Sequence, residues 1–121
     1  MSRDSRVEAF GAIYAADATG GPPTTVGLSS RAKRLAEGTW EHHAQLDAEL
    51  GGAAAGWRVE RMPAVDRAVL RLALFELRHT DTPVGVVISE AVELAKEYST
   101  ARSGAFVNGV LASLAESQPA D

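Results

Sequence analysis

From Pro63 to His79 the chain carries Val65, Ala68, Val69, Leu70, Leu72, Ala73, Leu74, Phe75 and Leu77, a series that would leave almost no polar side if wound as a helix. A helix apolar nearly all round is stable only when neighbours cover it on most sides, so this segment predicts the central post of a bundle. Pro63 suits the first turn, where its missing N–H would have no helical partner. Arg67, Arg71 and Arg78 fall on one narrow stripe, left for solvent or a partner. A post needs companions, and the flanking sequence supplies them. After the turn Thr80-Asp81-Thr82-Pro83, Val84, Val87/Ile88, Ala91, Leu94/Ala95 and Tyr98 keep a helical period, with Glu90, Glu93, Lys96 and Glu97 outside it. Ser103 is a candidate cap for a last helix, in which Phe106/Val107, Val110/Leu111 and Leu114 point inward and Gly109 permits close contact.

The N-terminal half is less regular. Residues 5–17 read as a helix with Val7, Phe10 and Tyr14 on one apolar stripe. Gly20, Gly21, Pro22 and Pro23 break it, and a loop is expected to about Val26. Ser29 or Ser30 can cap a helix over roughly 30–50, with Leu35, Thr39, His42/His43, Leu46 and Leu50 on its inner face. The run GGAAAG at 51–56 ends it as a hinge, and Trp57 opens the next unit as a lid on the bundle. No long segment alternates apolar and polar residues as an exposed strand would. The expected fold is all-α, with the last three helices (63–116) forming a three-helix bundle around Leu72, Val87, Ala91 and Val110.

Composition narrows the chemistry. At 121 residues, 45% hydrophobic and 23% charged, one globular domain is expected. Without Cys there is no disulfide, thiol nucleophile or thiolate metal site. No stretch reads as a signal peptide or reaches the roughly 20 apolar residues of a membrane span, so the expected location is cytoplasmic, with no membrane partner. His43 and Asp47 lie one helical turn apart, but two adjacent His residues point about 100° from one another, so no metal site is expected. Glu93 and Glu97 sit on a solvated face beside Lys96, and no Gly-x-Ser-x-Gly elbow or phosphate-cradling loop is present. Catalytic residues, cofactors and enzyme activity are therefore not expected.

Recognition remains. The net charge of −4 excludes nucleic-acid binding by bulk electrostatics, so any such affinity must be local, and basic residues cluster only at Arg3/Arg6 and Arg31/Lys33/Arg34. Phe106, beside Arg102 and Asn108, offers an aromatic ring with neighbouring hydrogen-bonding groups, the combination that stacks on and reads an unpaired RNA base. By periodicity alone, Phe106 and Tyr14 also fit as core residues.

The segment 57–71 (WRVERMPAVDRAVLR) followed by Phe75-Glu76-Leu77, the run 89–96 (SEAVELAK) after Pro83, and Phe106-Val107-Asn108-Gly109-Val110-Leu111 resemble, in order and spacing, the motifs of the NusB family of transcription antitermination proteins. Arg6, Ala9, Tyr14 and Asp17 add a weaker match. The resemblance implies an all-helical single domain over 1–121 made of two small helical bundles packed together, the C-terminal one the better defined: N-terminal helices at 1–50, the hinge at 51–56, a C-terminal bundle at 57–116 and a tail at 117–121. It implies binding of boxA single-stranded RNA together with NusE, a small-subunit ribosomal protein, acting on RNA polymerase through the antitermination complex to promote ribosomal RNA synthesis. It maps the RNA surface to Arg3, Arg6, Phe106 and Asn108, and the NusE surface to Tyr14, Glu60 and Asp66. This sequence departs from the family in its sparse basic start, where Asp4 offsets Arg3 and Arg6, in a Gly-Pro loop that shortens the N-terminal bundle, and in Ser89 where Asn is usual. The same motif opens ribosomal RNA cytosine methyltransferases, but 1–121 holds no cofactor-binding sequence and methyl transfer is not expected. The alternative to antitermination is a helical protein-interaction module, homodimeric or otherwise homo-oligomeric, with weak or lost RNA binding.

Overall fold

The computed structural model describes residues 3–54 and 58–116; Trp57, residues 55–56 of the expected hinge and the 117–121 tail lie outside them. Six helices follow in order: α1 (Arg3–Thr19), α2 (Ser30–Glu41), α3 (His43–Ala53), α4 (Ala64–His79), α5 (Val84–Tyr98) and α6 (Ala101–Glu116), with a 3-10 turn at Val59–Arg61. They form two bundles, α1–α2–α3 and α4–α5–α6, the second packed the more tightly. Helix α4 is the post the sequence predicts: it touches all five others, and Ala68, Val69, Leu70, Leu72, Ala73, Leu74 and Phe75 are buried along it. Leu72, Val87, Ala91 and Val110 lie in the core as expected. No helix among the described residues is long and apolar enough to cross a membrane.

Local chemistry explains most of the boundaries. Gly20, at φ 75°, closes α1 by donating its N–H to the Ala16 carbonyl at 2.9 Å, a left-handed cap for which glycine carries no Cβ penalty. Ser29 caps α2, its Oγ accepting the Ala32 N–H at 3.2 Å. Pro63 and Pro83 each stand just before the first residue of α4 and α5.

Four local expectations need correction. The buried stripe of α1 is Arg6, Ala9, Phe10, Ile13 and Ala16, and Tyr14 lies at its edge, 44% exposed. The expected single helix over 30–50 is broken at His42. There the His42 Nδ1 bonds the Gly38 carbonyl at 2.9 Å and the His43 Nδ1 bonds the Trp40 carbonyl at 2.6 Å, so side chains insert into the backbone ladder. The cap of α6 is Thr100, whose Oγ1 accepts the Ser103 N–H at 3.0 Å; Ser103 itself is buried inside the first turn. Gly109 meets nothing, and the close contact of α5 with α6 is at Gly104, where an added Cβ would lie 2.6 Å from Lys96 Cγ.

Candidate nucleic-acid and protein interface

Four of the twelve basic residues, Arg6, Arg67, Arg71 and Arg78, are spent on acids within the molecule. Arg6 and Glu76 are 2% and 1% exposed, and the guanidinium grips the carboxylate with both arms, Nε to Oε2 at 3.0 Å and Nη2 to Oε1 at 2.9 Å. Arg6 therefore does not present a charge to RNA: it follows the α1 stripe inward because an Arg so placed is stable only against a buried acid. The stripe on α4 is likewise turned inward. Arg67 pairs with Asp17 and donates to the carbonyls of Val59 (3.2 Å) and Met62 (2.8 Å). Arg71 bonds both oxygens of Asp47 at 2.7 Å and Asp17 at 3.1 Å, and Arg78 reaches Glu49 at 2.9 Å and the Leu114 carbonyl at 3.1 Å. The partner predicted for this stripe is the protein's own α1, α3 and α6.

A different set of groups faces outward. Arg102 and Asn108 are exposed on α6; Phe106, half-buried against the core, follows Arg102 by one turn, while Asn108 lies about 200° round the helix from it. Tyr14 packs one side on Phe10, ring centroids 6.0 Å apart, and Phe10 in turn lies 5.1 Å from Tyr98. Glu60 is exposed and pairs with Arg58 at 2.9 Å; its carboxyl is held below the usual range first by its own backbone N–H and then by Arg58. Asp66 is 4% exposed, its Oδ1 has no partner, and burial pushes its pKa up against the opposing pull of the Ser103 hydroxyl. Asp66 is thus not an open contact point. Arg3 begins α1, but its side chain lies outside the described residues.

The antiparallel run of α1 along α4 decides what comes together. Arg6 is level with Glu76 near the end of α4, whereas Asp17, one turn beyond Tyr14, is level with Arg67 near its start. Tyr14 and Glu60 therefore share the end of the bundle where Arg67 ties α1 to the 59–62 turn. Ser103 meets Asp66 at that same end, so Phe106 and the start of α1 are separated along the bundle. The ten-residue step from Asp66 to Glu76 is about 15 Å at the α-helical rise. His42 and His43 do not form a ligand set: His43 stacks on Trp40 at 4.4 Å and His42 lies 4.1 Å from His79. No group of three or more His, Asp or Glu among the described residues is arranged to hold a metal ion.

The sequence profile described as the NusB family matches residues 27–116. The chain belongs to the NusB family. A relative from Symbiobacterium thermophilum, named transcription antitermination protein NusB, is 54% identical over 84 residues, 69% of this chain and 55% of that one. One from Anaeromyxobacter dehalogenans is 50% identical over 88 residues, so the matched stretch spans little more than half of these relatives, 55% and 62%. The relative from Rubrobacter xylanophilus is 42% identical across 90% of this chain and 86% of its own. Among solved structures, Thermotoga maritima NusB superposes with a TM-score of 0.84 at 32% identity, covering 94% of this chain and 89% of that one. A NusB bound to NusE and double-stranded RNA does so at 0.82 and 26%, covering 94% and 95%. The NusB fold thus accounts for both bundles.

Proposed function

We propose that this chain is a transcription antitermination factor that binds boxA-type RNA together with NusE and promotes ribosomal RNA transcription. The observation that carries the reading is the likeness, over 94% of the chain, to a NusB seen with NusE and RNA. The outward groups are consistent with it. Phe106, one turn after Arg102, supplies a stacking ring with a donor beside it, and Tyr14 with Glu60 offers an exposed ring and carboxylate for a protein partner. Arg3 remains the basic residue of α1 assigned to RNA, with Arg6 acting through the packing of α1, and Asp66 sits beneath the NusE face rather than on it.

The test is fluorescence anisotropy of boxA RNA with and without NusE. Affinity should rise when NusE is present, and Phe106→Leu, which keeps apolar volume but removes the ring, should weaken RNA binding roughly 5- to 150-fold, the worth of one stacked base. RNA binding absent in both conditions would favour the second reading, a helical protein-interaction module. One observation points that way: Glu76 neutralises Arg6, depleting an already sparse basic arm.

A further inference from the structure

The cluster Arg31/Lys33/Arg34 has no part in the interface above. Arg31, Arg34 and Leu35 share one face of α2, and with Phe75, His79 and Thr80 at the end of α4 they line a cleft of about 170 Å3. Leu35 and Phe75 make an apolar floor; two guanidiniums and an imidazole stand over it, and no carboxylate lines the cleft. The Nε of Arg31 is buried with no hydrogen-bond partner. Arg6, Arg67, Arg71 and Arg78 each bond a carboxylate, whereas no such bond is seen for Arg31 among the described residues, and its unsatisfied Nε is a costly arrangement that an anion drawn to its guanidinium would relieve. The space is well below the roughly 300–1,000 Å3 of pockets that enclose drug-sized molecules, and it suits one phosphate-sized group.

We propose that this cleft binds a backbone phosphate of RNA, with Arg31 and Arg34 as charged donors and the neutral His79 ring as a third, uncharged N–H donor. It rests on the RNA-binding reading above. RNA is the favoured source because the cleft adjoins the start of α1: Ser29, at the head of α2, meets Ser5 with Oγ atoms 3.5 Å apart and donates its N–H to Glu8 at 3.1 Å. A strand passing the α1 start can continue onto Arg31 and Arg34, whose planar forks match phosphate oxygens.

Two arms test this on the full chain. In the first, inorganic phosphate is titrated against chloride at matched ionic strength, and NMR follows the Arg31 Nε–H and His79 ring signals. Both should shift with phosphate alone, and unmoved signals would overturn the site. In the second, the salt dependence of binding to boxA RNA with a single-stranded extension is compared for the unaltered chain, Arg31→Gln/Arg34→Gln and the control Arg61→Gln. The double variant should lower the slope of log affinity against log salt by about 0.7 per lost contact, with the control unchanged. Arg34→Gln, at an exposed position, serves alone if the double variant does not fold. An unchanged slope overturns the RNA assignment even if phosphate binds. Lost affinity for NusE in the absence of RNA would reassign the cleft to protein and overturn it too. Absence of any RNA binding by the unaltered chain sinks the functional reading and the RNA assignment together, while the phosphate arm still reports whether the cleft is an anion site.

Discussion

At the scale of single residues, Arg6 and Glu76 separate structural charge from functional charge. Removing one member of a buried, bidentate pair strands the other in the core, so Arg6→Ala should cost about 3–5 kcal/mol in urea unfolding. Arg6→Met with Glu76→Leu replaces both by apolar groups and should restore most of that stability. If Arg6 acts only through packing, the restored double variant also keeps its RNA affinity; a folded double variant that no longer binds RNA would return Arg6 to the RNA surface. An acid inside an apolar helix needs a buried partner, and Glu76 was a signal of one that apolar periodicity alone does not register. Arg6 was harder to read because a short basic start looks the same whether it faces RNA or a carboxylate; its spacing to Phe10 and Ile13 was the available signal. His79 adds a pH effect. Burial lowers its pKa, the charges of His42 and Arg78 lower it further, and Glu49 opposes them. Folding therefore favours the neutral ring, and the stability it contributes is present above pH 6.5 and lost as pH falls through the folded-state value. His79→Gln should flatten the fall in urea midpoint between pH 7.5 and pH 5, and an identical fall would exclude His79 as its source.

At the scale of elements, α2 and α4 meet where Gly38 leaves room for Phe75. An added Cβ would lie 2.2 Å from Phe75 Cζ and 2.6 Å from Cε1, and the ring has neighbours on two sides, His42 at 5.8 Å and His79 at 5.1 Å. Helix propensity alone favours Ala over Gly by about 1 kcal/mol, but overpacking costs about 1–3 kcal/mol, so Gly38→Ala should destabilise. Phe75→Leu should be better tolerated in the Gly38→Ala background than alone, and a double-mutant cycle showing simple additivity would rule out the clash. Helices α4, α5 and α6 were legible from their apolar periods, with Pro63 and Pro83 also marking where α4 and α5 begin. The division of α2 from α3 was not. Leu35, Thr39, Leu46 and Leu50 keep one period straight through the break, and what breaks it is hydrogen bonding from His42 and His43 to backbone carbonyls, which periodicity does not record. The same limit placed the α6 cap at Ser103, three residues from Thr100, since both hydroxyls fit the pattern and only geometry chooses.

At the scale of the whole molecule, besides the pairs Arg6–Glu76 and Arg78–Glu49, a network of four charges joins the two bundles: Asp17 of α1 and Asp47 of α3 against Arg67 and Arg71 of α4. The sequence displayed the Arg stripe but not its partners, because Asp17 and Asp47 are distant along the chain and carry no local mark of where they meet. This network has two consequences. It withdraws Arg67 and Arg71 from any RNA surface, which leaves affinity to a few local contacts and predicts a shallow salt dependence. It also makes the attachment of α1 and α3 sensitive to acid. Arg67 leads in holding the Asp17 carboxyl below its ordinary pKa of 3.8, with Arg71 assisting and burial opposing. A lowered carboxylate contributes stability that is present above pH 3.8 and lost as pH falls through the folded-state value. Asp17→Asn should therefore cost about 1.5–3 kcal/mol at pH 7, the usual range for a hydrogen bond to a charged group. That deficit should hold to pH 4.5 and narrow below pH 3.8, as the unaltered chain loses the same interaction to protonation. Amide exchange at pH 7 should localise the effect, with α1 and α3 losing protection ahead of α5 and α6. A deficit as large at pH 3 as at pH 7, or protection lost evenly over all six helices, would mean that this network is not what fastens the N-terminal bundle to α4.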